Sequence, residues 1–138
     1  MSRAAVVDAT GLILGRMASY VAKRLLSGES VIIVNAERAV ISGKKGMIVR
    51  KRKEFLGVGG YRRGPLHPRR ADGIVRRVIR GMLPYRKPRG RAAFRRLRVY
   101  VGVPREFGKR ELETIEDAKA DRLRCKFITV GELAREIG

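Results

Sequence analysis

Residues 31–34 read VIIV, four consecutive β-branched side chains, and that run constrains the fold more than any other in the chain. β-branched residues are stiff and favour the extended backbone, and a run with no polar face belongs in a strand covered on both sides. A second such run, AAVVDA at 4–9, precedes it. Between the two, Met17, Ala18, Val21, Ala22, Leu25 and Leu26 recur at helical spacing, Lys23 and Arg24 fall elsewhere on the wheel, and Gly28 suits a helix C-terminus. Strand, helix, strand with a crossover of this length favours a parallel pair with a right-handed connection, hence an α/β layer.

The charge sets the second constraint. The chain has 138 residues, with 33 Lys and Arg against 13 acids and a net charge of +20. Residues 1–43 carry five cations and three acids, 44–98 carry twenty and two, and 99–138 carry eight and eight. Nearly all the excess therefore lies in one central stretch, which its own two acids cannot neutralise. An apolar fraction of 44% still supports an ordinary core, so the chain is not merely a charged tail. A polyanion is the expected partner, and arginine, which dominates the stretch, grips phosphate through a planar fork.

Within and around that stretch, ERAVISG reads as a short strand closed by Ser42 and Gly43, and KKGMIVRKRKEFLG as a helix with a basic face. GVGGYRRGPLHPRR is an irregular, glycine-rich loop held by Pro65 and Pro68. In ADGIVRRVIRGMLP, Ile74, Val75, Val78, Ile79 and Met82 form one stripe while Arg76, Arg77 and Arg80 point away, and Pro84 should end the helix. RGRAAFRRL predicts a second short helix with Ala93, Phe94 and Leu97 inward and Arg91, Arg95 and Arg98 outward; LRVYVGVP then predicts a strand. The balanced tail, 105–138, offers FITV as an extended run and GELAREI as a short helix. Tyr61, Tyr85 and Phe94 could stack on unpaired bases or pack in the core.

Other chemistries find little support. His67 has no carboxylate or second histidine beside it in its loop, and Cys125 has no visible partner, so neither reads as a catalytic group. One cysteine and one histidine give no internal disulfide and no conventional zinc set, so no metal or cofactor is expected. GLILGR at 11–16 lacks the glycine spacing and the GK[ST] ending of a phosphate loop, and GVGG at 57–60 follows a helix instead of a strand. The helix N-terminus at Gly15 and Arg16 could nonetheless hold an RNA phosphate. Asp8 and Asn35 end their strands; Asp8 reads as a turn acceptor before it reads as a catalytic acid. No apolar run approaches the roughly 18 residues of a membrane span, there is no Trp, and the opening MSRAAVVDATG has no signal-peptide stretch, so a cytoplasmic location without membrane attachment is expected. A duplex-DNA-binding protein and an α/β enzyme acting on an anionic substrate are the competing classes.

DATGLILGRMASYVAKRLLSG, VIIVNAE and ISG near the start, RRGPLHPRR in the centre, and VIRGMLP followed by RLRVYVGVP occur in that order. Together they resemble the universal large-subunit ribosomal protein thirteen family, in its archaeal and eukaryotic form, over about residues 6 to 104. The resemblance implies a three-layer α/β/α domain spanning 1–138, with a small, mostly parallel sheet of about four strands. It implies a structural constituent of the large ribosomal subunit, not an enzyme, that binds large-subunit ribosomal RNA beside neighbouring ribosomal proteins, supports assembly, and takes no small-molecule substrate. RNA-facing positions would be Lys44, Lys45, Arg50, Lys51, Arg52 and Lys53; Arg62, Arg63, His67, Arg69 and Arg70; Arg76, Arg77 and Arg80; then Arg86, Lys87, Arg89 and Arg91, with Arg95 on the same surface. RRGPLHPRR is archaeal-like, and an archaeal source is expected.

Overall fold

The computed structural model describes residues 4–57, 70–108, 110–120 and 126–137. In chain order its regular elements are β1 (Ala5–Asp8), α1 (Leu14–Leu26), β2 (Val31–Val34), β3 (Val40–Ser42), α2 (Lys45–Gly57), α3 (Ala71–Gly81), α4 (Pro88–Arg95), β4 (Leu97–Val99), β5 (Phe127–Thr129) and α5 (Val130–Ile137). β2 is the centre of a parallel sheet, with β1 on one side and β4 on the other, in the registers Ala5↔Val31 and Val31↔Leu97. β3 and β5 form a separate antiparallel pair, Val40 opposite Thr129. The class is α/β as expected, but the sheet of about four strands resolves into three parallel strands and this pair. Glu113 adds one parallel bridge to the outer edge of β1 at Val7.

All four β2 side chains are buried, as a β-branched run without a polar face requires. Alternation along the strand divides them. Val31 and Ile33 join Val7, Leu97 and the apolar faces of α1, α3 and α5 in the main core. Ile32 and Val34 turn to the other face, where they meet Val6 and Phe107, with Ala4 and Tyr100 at the margin. No α-helical residue among those described contributes to that second cluster, so the far layer is built by the chain after β4, through the 3-10 turn Arg105–Phe107, and not by an α-helix. Completely burying an Ile or Val stabilises by about 1.5–3 kcal/mol, so β2 carries a large share of the core energy.

α1 places Met17, Ala18, Val21, Ala22 and Leu25 against the sheet, as its periodicity predicts. It ends in a paired stop in which the Gly28 amide donates to the Leu25 carbonyl (3.2 Å) and the Glu29 amide to the Arg24 carbonyl (3.2 Å). That geometry needs a left-handed residue, and Gly28 supplies it at φ 101°. The Arg96 guanidinium donates to the Leu25 carbonyl (2.6 Å), so one arginine of the basic stretch serves the core.

The stripe on α3 holds for Ile74, Val75 and Ile79, all buried, and Val78 packs at its margin. Met82 does not belong to it: the helix ends at Gly81, so the 3.6-residue period no longer applies, Met82 is 42% exposed, and Leu83 folds inward instead at 6%. Leu97 is inward as expected, but as the first residue of β4 and not on a helix, because α4 runs from Pro88 to Arg95. The strand read from LRVYVGVP is likewise shorter. After Val99 the chain curls over the end of β2, with the Asn35 amide donating to the Gly102 carbonyl (2.9 Å) and the Ala36 amide to Tyr100 (3.1 Å).

At the carboxyl ends of β1 and β2, the Asp8 carboxylate accepts from the Thr10 amide (3.0 Å), the Thr10 hydroxyl (2.7 Å) and the Asn35 side-chain amide (3.0 Å). Burial pushes this carboxyl up, but the Thr10 and Asn35 hydrogen bonds and the charge of Arg38 outweigh it, leaving the pKa below its ordinary value. Asp8 is thus the turn acceptor that its position suggested.

Two outcomes follow. Asp8→Ala should lose about 1–3 kcal/mol at neutral pH, since it strands these donors. The native pKa lies below the unfolded one, about 3.9, so the stabilisation is complete above that value and is lost as the pH falls through the native pKa. Urea melts at pH 7 and at pH 3 should therefore show the gap between variant and parent closing on acidification. At Gly90, a Cβ would stand 1.9 Å from the Pro84 carbonyl oxygen, because the first turn of α4 rests on the backbone that leaves α3. Gly90→Ala should cost about 1–3 kcal/mol or prevent folding, whereas Gly81→Ala, which meets nothing within 4 Å, should be neutral or slightly stabilising in the same melts.

Candidate nucleic-acid interface

α3 and α4 turn apolar faces inward and leave most of their cations outside, and α2 packs Ile48 and Val49 against the same core. On α3, successive residues are about 100° apart, so Arg76 and Arg77 lie on the two flanks of the outer face with Arg80 between them. The Arg77 flank faces α2. Arg52, half-buried there, has its pKa lowered by burial and by the neighbouring Arg77 charge, which marks α2 and α3 as bringing like charges together. Lys44, Lys45, Arg50, Lys51 and Lys53 are exposed along α2, Lys45 within 3.5 Å of Glu136.

The opposite flank faces α4. The Arg76 guanidinium lies over the Phe94 ring at 4.5 Å and that of Arg80 over the Tyr85 ring at 4.1 Å. The two rings meet edge to face, 5.5 Å apart with planes at 85°. Each ring thus has a face covered by a cation, an arrangement favoured by the negative face of the aromatic quadrupole. Arg86, Lys87, Arg89, Arg91 and Arg95 continue the surface, all exposed. Arg91 also donates to the Arg86 carbonyl (3.0 Å), which steadies the α3–α4 connection. Below them a groove of about 400 Å³ is lined by Asp72, Arg76, Arg95, Arg98 and the β4 backbone.

The cations of α3 and α4 share a surface around Phe94 and Tyr85, and Arg52 brings α2 close to Arg77. Arg70 stands at the entry to α3, 83% exposed in its side chain and 3.6 Å from Asp72. Arg16 is drawn elsewhere: on α1, it donates to the Asp117 carbonyl (3.3 Å) of the tail. Arg62, Arg63, His67 and Arg69, with Tyr61 and Cys125, lie outside the described residues. Arg98 is the position that the sequence reading left out of the site. Its signal was present, since Leu97 and Val99 alternate with it along a strand and an exposed arginine results.

Not every cation is free for a partner. Arg24 pairs with Glu29 (3.0 Å) and Glu113 (2.8 Å), which raises its pKa further and ties α1 to the tail. Within the central stretch the close acid contacts are few, and the surplus stays on the surface. Among the described residues no helix is long and apolar enough to cross a membrane.

The family model described as Ribosomal protein L13 matches residues 2–106. The large ribosomal subunit protein uL13 of Archaeoglobus fulgidus is 48% identical over 135 residues, covering 96% of this chain and 86% of its own. Those of Methanococcoides burtonii and Methanosarcina barkeri are 50% and 51% identical, each alignment covering 96% of both chains. With a family match over most of its length and relatives at about half identity from end to end, the chain belongs to the ribosomal protein L13 family.

Proposed function

We propose that this protein is a structural constituent of the large ribosomal subunit that binds large-subunit ribosomal RNA through the basic face of α2, α3 and α4 and supports assembly of the subunit. The observation that carries the RNA part is the density of exposed cations: nine Lys and Arg side chains are exposed on α2, α3 and α4, and Lys44, Arg70, Arg86, Lys87 and Arg98 are exposed in the segments that flank them. The large-subunit assignment draws on the relatives, which carry that name. No step of covalent chemistry is required of any residue, and the protein acts as a binder and not as an enzyme.

The mechanism is electrostatic and geometric. A packed scaffold holds long cationic side chains on one surface, so part of the cost of ordering them is met before RNA arrives. Phosphates that repel one another can then be drawn together across that surface. Recognition works through backbone and shape, because the major groove of an RNA duplex is too deep and narrow for side chains to read. Arg62, Arg63, His67, Arg69 and Arg70 extend the same function beyond the helical face, and neighbouring large-subunit proteins complete the surroundings in the cytoplasmic ribosome.

If about ten phosphates are neutralised, affinity for purified large-subunit RNA should fall with salt at a log–log slope of about −7 to −9, measured by filter binding across a potassium chloride series; a slope shallower than about −2 would contradict the mechanism. Changing Arg50, Lys53 and Arg77 together to Ala removes three exposed cations. That variant should bind RNA more weakly with a slope shallower by about 2–3, while its melting temperature stays within a few degrees of the parent. A loss of stability with RNA affinity unchanged would reverse the assignment of the face.

A further inference from the structure

Tyr85 and Phe94 lie beneath the arginines of α3, and in an RNA-binding surface such rings would ordinarily be assigned to stacking on bases. Their surroundings point elsewhere. Each ring already carries a guanidinium on one face, Arg76 on Phe94 and Arg80 on Tyr85, and each braces the other edge to face. A base could take that face only by displacing an arginine from it. Both rings are also partly buried: Phe94 is set by the packing of α4 against the main core, and Tyr85, in the connection from α3, rests against Phe94. The backbone contact at Gly90 and Pro84 fixes the same corner from below.

We infer that Tyr85 and Phe94 are positioning residues, which hold Arg80 and Arg76 in place for RNA, with Arg76 lining a groove on the α4 side of α3 that receives a phosphodiester of single-stranded or loop RNA. This deepens the RNA-binding reading and rests on it. The groove has the chemistry for such a ligand. Arg76, Arg95 and Arg98 supply three cations against one carboxylate, Asp72, and that carboxylate is already engaged by the Gly73 amide (2.9 Å) and stands 3.6 Å from Arg70. A net positive pocket lined by planar guanidiniums fits a phosphate, which accepts two parallel hydrogen bonds from one arginine. A flexible arginine would lose its freedom on binding; one already lying on a ring has less to lose, which is the advantage of the arrangement.

Because the rings act through the arginines, their effects must be coupled, and that coupling is the test. Purified large-subunit RNA from Methanosarcina barkeri serves as the probe in filter binding with the full chain. R76K keeps the charge but loses the stacked planar fork, and F94L keeps an apolar side chain but loses the ring. Each should weaken binding about two- to tenfold. The double variant should be no weaker than the worse single one by more than about twofold, since removing either partner already abolishes the arrangement. R80K and Y85L should behave as a second pair. With the charge retained, the salt slope of R76K should match the parent.

If the F94L loss persists at full size in the R76K background, Phe94 acts on RNA directly or only on the fold, and the inference is overturned. Should F94L fail to fold, R76K and R80K decide alone: unchanged affinity overturns the proposal, and a loss at unchanged slope supports it. Binding by the parent chain with R76K and R80K unaffected would sink only this assignment. A parent chain that does not bind the RNA would overturn the broader reading as well.

Discussion

The burial of β2 on both faces is the interaction on which the rest of the structure depends. A central parallel strand of Val and Ile has no polar edge to offer water, so the chain must supply a cover on each side. On one side the cover is helical, from α1, α3 and α5 with Ala93 of α4; on the other it is Phe107 with Tyr100, brought back by the curl after β4. Hydrogen bonds from Asn35 and Ala36 to that curl close the end of the strand. The tail then returns to the β1 edge, where the Glu113 amide donates to the Val6 carbonyl (2.8 Å) and the Glu113 carbonyl accepts from the Asp8 amide (2.8 Å). A tail with little apolar periodicity of its own is thus held by a scaffold whose hydrogen-bonding edge would otherwise stay open.

The same burial determines where the charge can stand. α3 uses Ile74, Val75 and Ile79 to dock on the core, and whatever remains on the helix must face out. Cations on that outer side are tolerable in water and costly inside, so the packing segregates them without any specific contact between them. Arg24 and Arg96 are the informative exceptions. One is paired with two glutamates and the other bonded to the end of α1, so each is used in the scaffold. Of these two only Arg96 belongs to the central stretch, so its twenty cations overstate the surface available to a partner only slightly.

How far the sequence revealed this depended on the kind of signal. VIIV, the α1 stripe and the α3 stripe are local and periodic, and each predicted its element and its buried face. β3 was legible as a strand but its partner was not, since pairing with β5 joins residues almost ninety positions apart and no local pattern encodes that choice. Met82 and Leu83 exchanged roles because a helix boundary, not hydrophobicity, decides which of two adjacent apolar residues turns inward. In the site, the identity of the cations could be read directly, while their grouping could not: that Arg52 lies near Arg77, that Arg16 turns to the tail, and that two rings carry two arginines are properties of packing.

The placement of the basic stretch between β3 and β4 has a consequence for how charge and fold coexist. Its two ends are fixed by different sheets, Ser42 against Phe127 in the antiparallel pair and Leu97 against Val31 in the parallel one. Three helices are thereby suspended between anchored strands, and they need no sheet of their own. Mutual repulsion among their cations opposes the compact state, and only docking on the apolar core resists it. The close approach of Gly90 to Pro84 is the point where this balance is tightest, because it lets α4 reach the core and set Phe94 and Tyr85 under the arginines of α3. A methyl group there would separate α4 from the α3 exit, and with it the rings from the cations they hold. The smallest side chain in the stretch therefore governs the shape of its most highly charged surface.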